Sequence, residues 1–405
     1  ALARAPEAVE AMLLEVSEAL RPRVAAERAL LQRAKGSGGP VRGWDIEFLK
    51  ARLSREVVDD ETLAEYFPLH AVVRGLGSLA ERLFGVAVRE VEPEPGEVCD
   101  PSVHKLVLSD RDTGEPLGRC YLDLHSRHGK ASSGAAHHVI QCGRRLSDGG
   151  YQEPTAAIIS NYGRARGRGR ATTLTHDSVE VLIHEFGHLL HHCLSRTEFQ
   201  HLSGTRCAGD ILEVPSHVLE RFAWDVDAMN LFSEHVVSGD KVPAKALDAL
   251  RRNRNMFTGM ELQRQILYSL VDLSIHKSPP RTPAELQDRI KGIEAEHGPM
   301  PPEACDHWYT RMHHFVGYSS QYYSYPYAQC FAQATWTAHF EGEPLAPGAG
   351  KALREQFLRH GGAKSPRSVL QDLLGPGGVR ERAGGITPDP SALLESIERL
   401  APPRV

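Results

Sequence analysis

The stretch Val179–Ser195, V-E-V-L-I-H-E-F-G-H-L-L-H-H-C-L-S, decides how the rest of the chain is read, because it contains His-Glu-x-x-His at His184–His188. On a helix, residues four apart share a face, so both imidazoles project toward a point that one metal ion can bridge. Leu182, Ile183, Phe186, Leu189, Leu190 and Cys193 fall on the opposite side, which buries the helix and aims the histidine face. Asp177 with Glu180 three residues later has the form of a capping box, and His191 and His192 are expected to extend the metal face. Gly187 costs about 1 kcal/mol relative to alanine inside a helix, so something must come close there. Clearance beside the metal is the expectation.

A chain with 21 histidines can produce this motif by accident, and the plain alternative is a set of ordinary core or surface imidazoles. The cap, the apolar back face and the neighbouring histidines weigh against it. A catalytic zinc site needs a third protein ligand, an open position for water and a base beside that water. Glu185 is the base candidate. A metzincin would carry Gly three and His six residues after the second metal histidine. His191 and Leu194 stand there and exclude that class. Glu198, Glu213 and Glu220 are the downstream acids in reach. Glu213, in the helical run G-D-I-L-E-V-P-S-H-V-L-E, is the expected third ligand to a single zinc ion. Zinc-bound histidines pass their second N–H to a carboxylate or carbonyl. Asp210 or Glu220 is suited to that, and each reads equally well as a surface acid.

H-E-F-G-H followed by G-T-R-C-A-G-D-I-L-E-V-P-S, together with H-H-F-V-G-Y-S-S-Q-Y-Y-S-Y at His313–Tyr325, resembles the M3 family of zinc oligopeptidases, the thimet oligopeptidase group. The wording is closest to the branch that processes mitochondrial precursors. The resemblance covers about residues 40 to 375, the catalytic half. It implies a predominantly α fold with a small β-sheet, a zincin-like catalytic domain whose N-terminal helical region is largely missing. It further implies a metalloendopeptidase acting on short or unfolded peptides, a mitochondrial matrix location with the cytoplasm as alternative, and His313, Tyr318 and Tyr325 in contact with substrate or the tetrahedral intermediate, with Tyr322 as companion. Packing is the alternative role for such a tyrosine-rich run. Pro326 departs from the leucine usual in that family. A catalytically silent peptide-binding remnant is the competing functional class, and the intact Glu185 argues against it.

The remaining chain is consistent with a globular protein that has ample core, with 405 residues, 41% hydrophobic and 24% charged. A net charge of −5 gives no reason to expect nucleic acid or an anionic membrane as partner. No run approaches the roughly 18 apolar residues of a transmembrane helix. The seven cysteines lack any C-x-x-C pair and fit a reducing interior. No secretory or Arg/Ser-rich transit segment is visible, and the chain starts A-L-A-R-A-P without Met. A monomer is expected.

In order, residues 1–40 read as a helix pair and a linker, and 41–405 as the catalytic domain. Within that domain 86–160 is a small sheet, 176–235 holds the metal-binding helices and 303–345 is the tyrosine segment. Short alternating runs such as V-H-K-L-V-L-S-D predict the strands, and an edge strand beside the metal helix would hold an extended peptide. The glycine-rich loop 163–170, with its arginines, reads as solvated near the cleft mouth, with phosphate backbones as the lesser alternative. Helix is predicted over 263–275, a mobile loop over 375–390 and a last helix over 391–400.

Overall fold

The computed structural model describes residues 2–53, 60–131, 134–163, 171–303 and 306–400. Helices predominate, with one small mixed sheet. Helix α1 (Pro6–Lys35) runs unbroken, followed by α2 (Ile46–Leu53), α3 (Asp60–Ala64) and α4 (Leu69–Phe84). The expected helix pair in residues 1–35 is therefore one helix. Its apolar stripe continues across Pro22, with Leu20 and Val24 both buried, and that packing outweighs the missing N–H. Much of α1 is part of the main hydrophobic core, alongside the metal-binding helices.

Strands β1 (Val86–Val91), β2 (His104–Asp110), β3 (Pro116–His125) and β4 (Ala136–Gln141) come next, then the two-residue strands β5 (Arg144–Arg145) and β6 (Tyr151–Gln152), then β7 (Thr155–Tyr162). The sheet order is β1-β2-β3-β7-β4, so β4 is an edge. β3 and β7 are parallel, and β4 runs antiparallel to β7. His137 opposes Ile158 and Val139 opposes Ala156. Ile158 and Ala156 are fully buried, so the period of two turns His137 toward the core and leaves His138 and Ile140 exposed.

Helix α5 (His176–Leu194) lies against β3, β4 and β7. Its apolar residues other than Val181 are buried, and truncating Phe186 would cost about 3–5 kcal/mol. Its cap is Thr175, whose side chain accepts from the Ser178 amide. The expected Asp177–Glu180 box does not form. Glu180 instead accepts from Trp224 Nε1 at 2.7 Å and pairs with Arg254 at 2.7 Å. Two short helices follow, α6 (Gly209–Leu212) and α7 (Val214–Glu220), and α7 crosses α5 closely. A Cβ on Gly187 would stand 2.7 Å from Ser216 Cα. The glycine therefore gives clearance for the α7 backbone, not for the metal itself, and the approach it permits is what brings Glu213 to the histidines.

The chain continues through α8 (Val226–Phe232), α9 (Ala244–Met256), α10 (Thr258–Lys277), α11 (Pro283–His297), α12 (His314–Gly317), α13 (Ser324–His339) and α14 (Pro366–Leu374). Where a mobile loop is expected, β8 (Val379–Arg382) and β9 (Gly385–Pro388) form a hairpin turning at Ala383 and Gly384, both with positive φ. Helix α15 (Ser391–Arg399) ends the described chain. Among the described residues no helix is long and apolar enough to cross a membrane, and six cysteines are free. The arginine residues of the 163–170 loop lie outside the described residues.

Candidate metal and catalytic centre

One turn of α5 carries His184 and His188, and the junction of α6 and α7 carries Glu213. Nε2 of His184 and Nε2 of His188 are 3.2 Å apart. Oε2 of Glu213 stands 3.3 Å from the first and 3.1 Å from the second. This triangle fits zinc, because tetrahedral ligands about 2.0–2.1 Å from an ion lie about 3.3 Å from one another. His188 and Glu213 are buried and His184 is partly so.

The tautomers suit the same purpose. Nδ1 of His184 lies 2.6 Å from Oε1 of Glu220, and a carboxylate only accepts, so Nδ1 carries a proton and Nε2 is the nitrogen left to face the cluster and take a metal. Oε2 of Glu220 accepts from Nδ1 of His217 at 3.0 Å, so one carboxylate orients two imidazoles. In the metal-free chain, burial pushes the His184 pKa down, but hydrogen bonds to Glu213 and Glu220 outweigh it and raise it to about 10. Burial would raise Glu213 and Glu220, yet the adjacent imidazoles hold both well below the usual carboxylate range. Two ionised carboxylates beside the imidazoles form a cation-seeking site, and without a metal the cation at His184 is a proton.

Glu185, one residue after the first ligand candidate, is also buried. Three of the tyrosine-segment residues meet near it. The ring of Tyr325 lies 6.5 Å from that of His217, 5.9 Å from Tyr318 and 5.1 Å from Tyr322. Burial leads a group of causes, including nearby Glu213 and Glu185, that push the Tyr325 hydroxyl above its ordinary pKa, so it is a protonated donor at neutral pH. His313 is exposed at the N-cap of α12. The imidazole among the tyrosines is His314, 6.0 Å from Tyr325, 6.4 Å from Tyr318 and 5.4 Å from Tyr322. Pro326 lies in the first turn of α13 and leaves the helix start intact.

The other expectations separate. Glu198 is away from the triad, lining a cavity of about 620 Å³ with Arg145, Arg196 and Arg359. Asp210 orients no histidine. It accepts from the Ala3 amide at 2.9 Å, and the Tyr323 hydroxyl is 3.4 Å away. His191 does not extend the metal face: it is wholly buried against Phe357. His192 points to the sheet, where Nε2 donates to the Gln141 carbonyl at 2.9 Å and ties the metal helix to β4. His137 on that strand places its ring 6.1 Å from His188. Sequence reasoning did not single out His137, His217 or His314. The H-x-x-E spacing of His217 and Glu220, three apart on a helix, is a signal that was available.

The sequence pattern described as Peptidase family M3 matches residues 1–377. The chain is 38% identical over 403 residues to the mitochondrial intermediate peptidase of Arabidopsis thaliana, covering 98% of this chain and 57% of that protein. Proteins of the same name from Homo sapiens and Malassezia globosa are 31% and 30% identical, each over 92% of this chain and 53% and 52% of their own length. The chain thus spans about half the length of the relatives it matches.

Proposed function

Since the chain belongs to peptidase family M3, we propose that it is a zinc-dependent metalloendopeptidase hydrolysing peptide bonds in short or unfolded peptides. The observation that carries the reading is the convergence of His184, His188 and Glu213 with Glu185 beside them. Relatives named mitochondrial intermediate peptidase support a finer reading, in which the peptides are mitochondrial precursors and the site of action is the mitochondrion.

In this mechanism His184, His188 and Glu213 hold the zinc ion, which when bound supplies Lewis acidity toward the scissile carbonyl and toward water. Glu185 takes the proton of the attacking water and delivers it to the leaving amine. Tyr325, with Tyr318, donates hydrogen bonds to the oxyanion that develops as water adds. Tyr322 lines the substrate side of this cluster, and His313 or its neighbour His314 contributes a further polar contact. The outward backbone of edge strand β4 pairs with an extended peptide, and His192 keeps that strand in register with the metal helix.

The test is metal analysis of the purified chain combined with cleavage of an internally quenched peptide. About one zinc per chain is expected. Alanine at His184, His188 or Glu213 should abolish it, and alanine at Glu198 should not. Glu185→Gln should retain zinc and lose about 10²–10⁴ in rate. A parent chain that binds zinc and peptide yet cleaves nothing above the Glu185→Gln background is a non-catalytic binder, and the proposal fails.

A further inference from the structure

The tyrosine segment is held from behind by a residue outside every motif described above. Asp272 lies on α10 and is completely buried. Its Oδ1 accepts from the Ser320 amide at 3.1 Å and its Oδ2 from the Tyr322 amide at 3.0 Å. Nδ1 of His276, one turn along α10, stands 2.9 Å from Oδ1. A buried carboxylate is very costly unless such partners satisfy it, and the Tyr322 amide carries a smaller cost of its own without an acceptor. Each therefore requires the other.

The local backbone needs this help. Residues 318–323 connect two helices, and Ser320 sits there at φ +60°, a left-handed conformation that a serine adopts only when its surroundings impose it. Two amides of this bend converge on one anion, as in other concavities formed by successive N–H groups. The Tyr322 hydroxyl donates to Gln265, also on α10, at 2.9 Å. Helix α10 is itself anchored, because both oxygens of buried Glu27 accept from the Gly259 and Met260 amides at its start. The segment's position is thus referred to α1 and α10 as well as to the metal helices, which Tyr323 meets through Asp210 on α6.

We infer that Asp272 is a positioning residue for catalysis: by binding the Ser320 and Tyr322 amides it places Tyr322 and, through ring contact, Tyr325 and Tyr318 over the metal centre. The inference rests on the peptidase reading for its catalytic consequence, while the anchoring itself is measurable apart from it.

The experiment compares the full zinc-loaded chain with Asp272→Asn, which keeps one acceptor, and Asp272→Ala, which keeps none, each also combined with Tyr325→Phe. Zinc content is measured first, then hydrogen exchange of amides 318–325, then kcat and KM on an internally quenched peptide. Zinc should be unchanged. Exchange at Ser320 and Tyr322 should accelerate, more in Asp272→Ala than in Asp272→Asn. The value of kcat should fall about tenfold to a hundredfold, with KM changing less, and Tyr325→Phe should cost much less in the Asp272→Ala background than alone. Unchanged exchange overturns the inference, as does a Tyr325→Phe effect of equal size in both backgrounds. A parent that does not cleave overturns the peptidase reading instead, and the exchange data then decide the anchoring alone. Should Asp272→Ala not fold, Asp272→Asn supplies the same comparisons.

Discussion

The Nδ1–H of His184 donates to Oε1 of Glu220 across 2.6 Å, and the other oxygen of that carboxylate is taken by His217. Such outer carboxylates fix the ring orientation of a ligating histidine and raise its basicity, and their loss typically lowers metal affinity about 10–100-fold. Glu220→Gln is expected to weaken zinc binding by that factor in a chelator competition while the metal still binds at one ion per chain. A smaller loss is expected for His217→Phe, which frees only one side of Glu220. Unaltered affinity in Glu220→Gln would reduce the contact to packing.

Zinc affinity should rise with pH. In the metal-free chain His184 is raised to about 10 by Glu213 and Glu220 against the opposing effect of burial, so a proton competes with the metal at neutral pH. The sign follows from linkage: the stability this proton lends the metal-free fold is full below the unfolded histidine value near 6.5 and disappears as pH climbs to about 10. Chelator competition at pH 6.5, 7.5 and 8.5 should show tightening at each step, with proton release on metal addition in weakly buffered solution. A flat profile contradicts the protonated state of the empty site.

Tyr325 and the two adjacent histidines separate catalysis from packing. Tyr325→Phe should lower turnover by roughly 10²–10³ and leave zinc and folding alone. Of the histidines, both exposed, His314→Ala should cost more than His313→Ala, because it is the His314 ring that lies against Tyr318, Tyr322 and Tyr325. Equal rates for Tyr325→Phe and parent would return the tyrosines to the core.

Acid should destabilise the fold through His191. Burial, with His188 and His192 adding to it, lowers its pKa to about 3. The unfolded chain takes up a proton there below about 6.5 and the folded chain does not, so stability is lost as pH falls from 6.5 toward 3. Between pH 7 and pH 5 this one site contributes a loss on the order of 2 kcal/mol. His191→Leu, of similar volume, should shrink the difference in unfolding temperature between those two pH values. The same difference in variant and parent would show that His191 is not the group responsible.

Much of the centre was legible because it is local. His184 and His188 are one helical turn apart, and Glu213 follows on the next amphipathic run, so spacing and periodicity suffice to bring them forward. The strands of 86–162 showed their alternation for the same reason. The hairpin at 379–388 was hidden by its composition: Gly and Pro around Val379–Arg382 and Gly385–Pro388 read as loop, and Ala383, held at positive φ in the turn, is not a residue that signals one. The expected helix pair in the first 35 residues is one helix because burial of Leu20 and Val24 on either side of Pro22 overrides the local breaker. Thr175 displaced Asp177 as cap once Glu180 was claimed by Trp224 and Arg254, neither of which is near it in sequence.

By itself the sequence determined the mainly helical class with its small sheet and the shared face of His184 and His188 on α5, since each depends on side-chain period within one or two turns, whereas the arrival of Glu213 depends on α7 packing against Gly187. Only the tertiary structure decided which of two nearby carboxylates binds a histidine from behind, which of His313 and His314 faces the tyrosines, and that Asp272, 50 positions before Tyr322, holds their backbone. Those choices depend on pairing between elements far apart in the chain. They follow from a requirement that no local pattern records: a buried charge or amide must find its partner wherever the packed helices bring one.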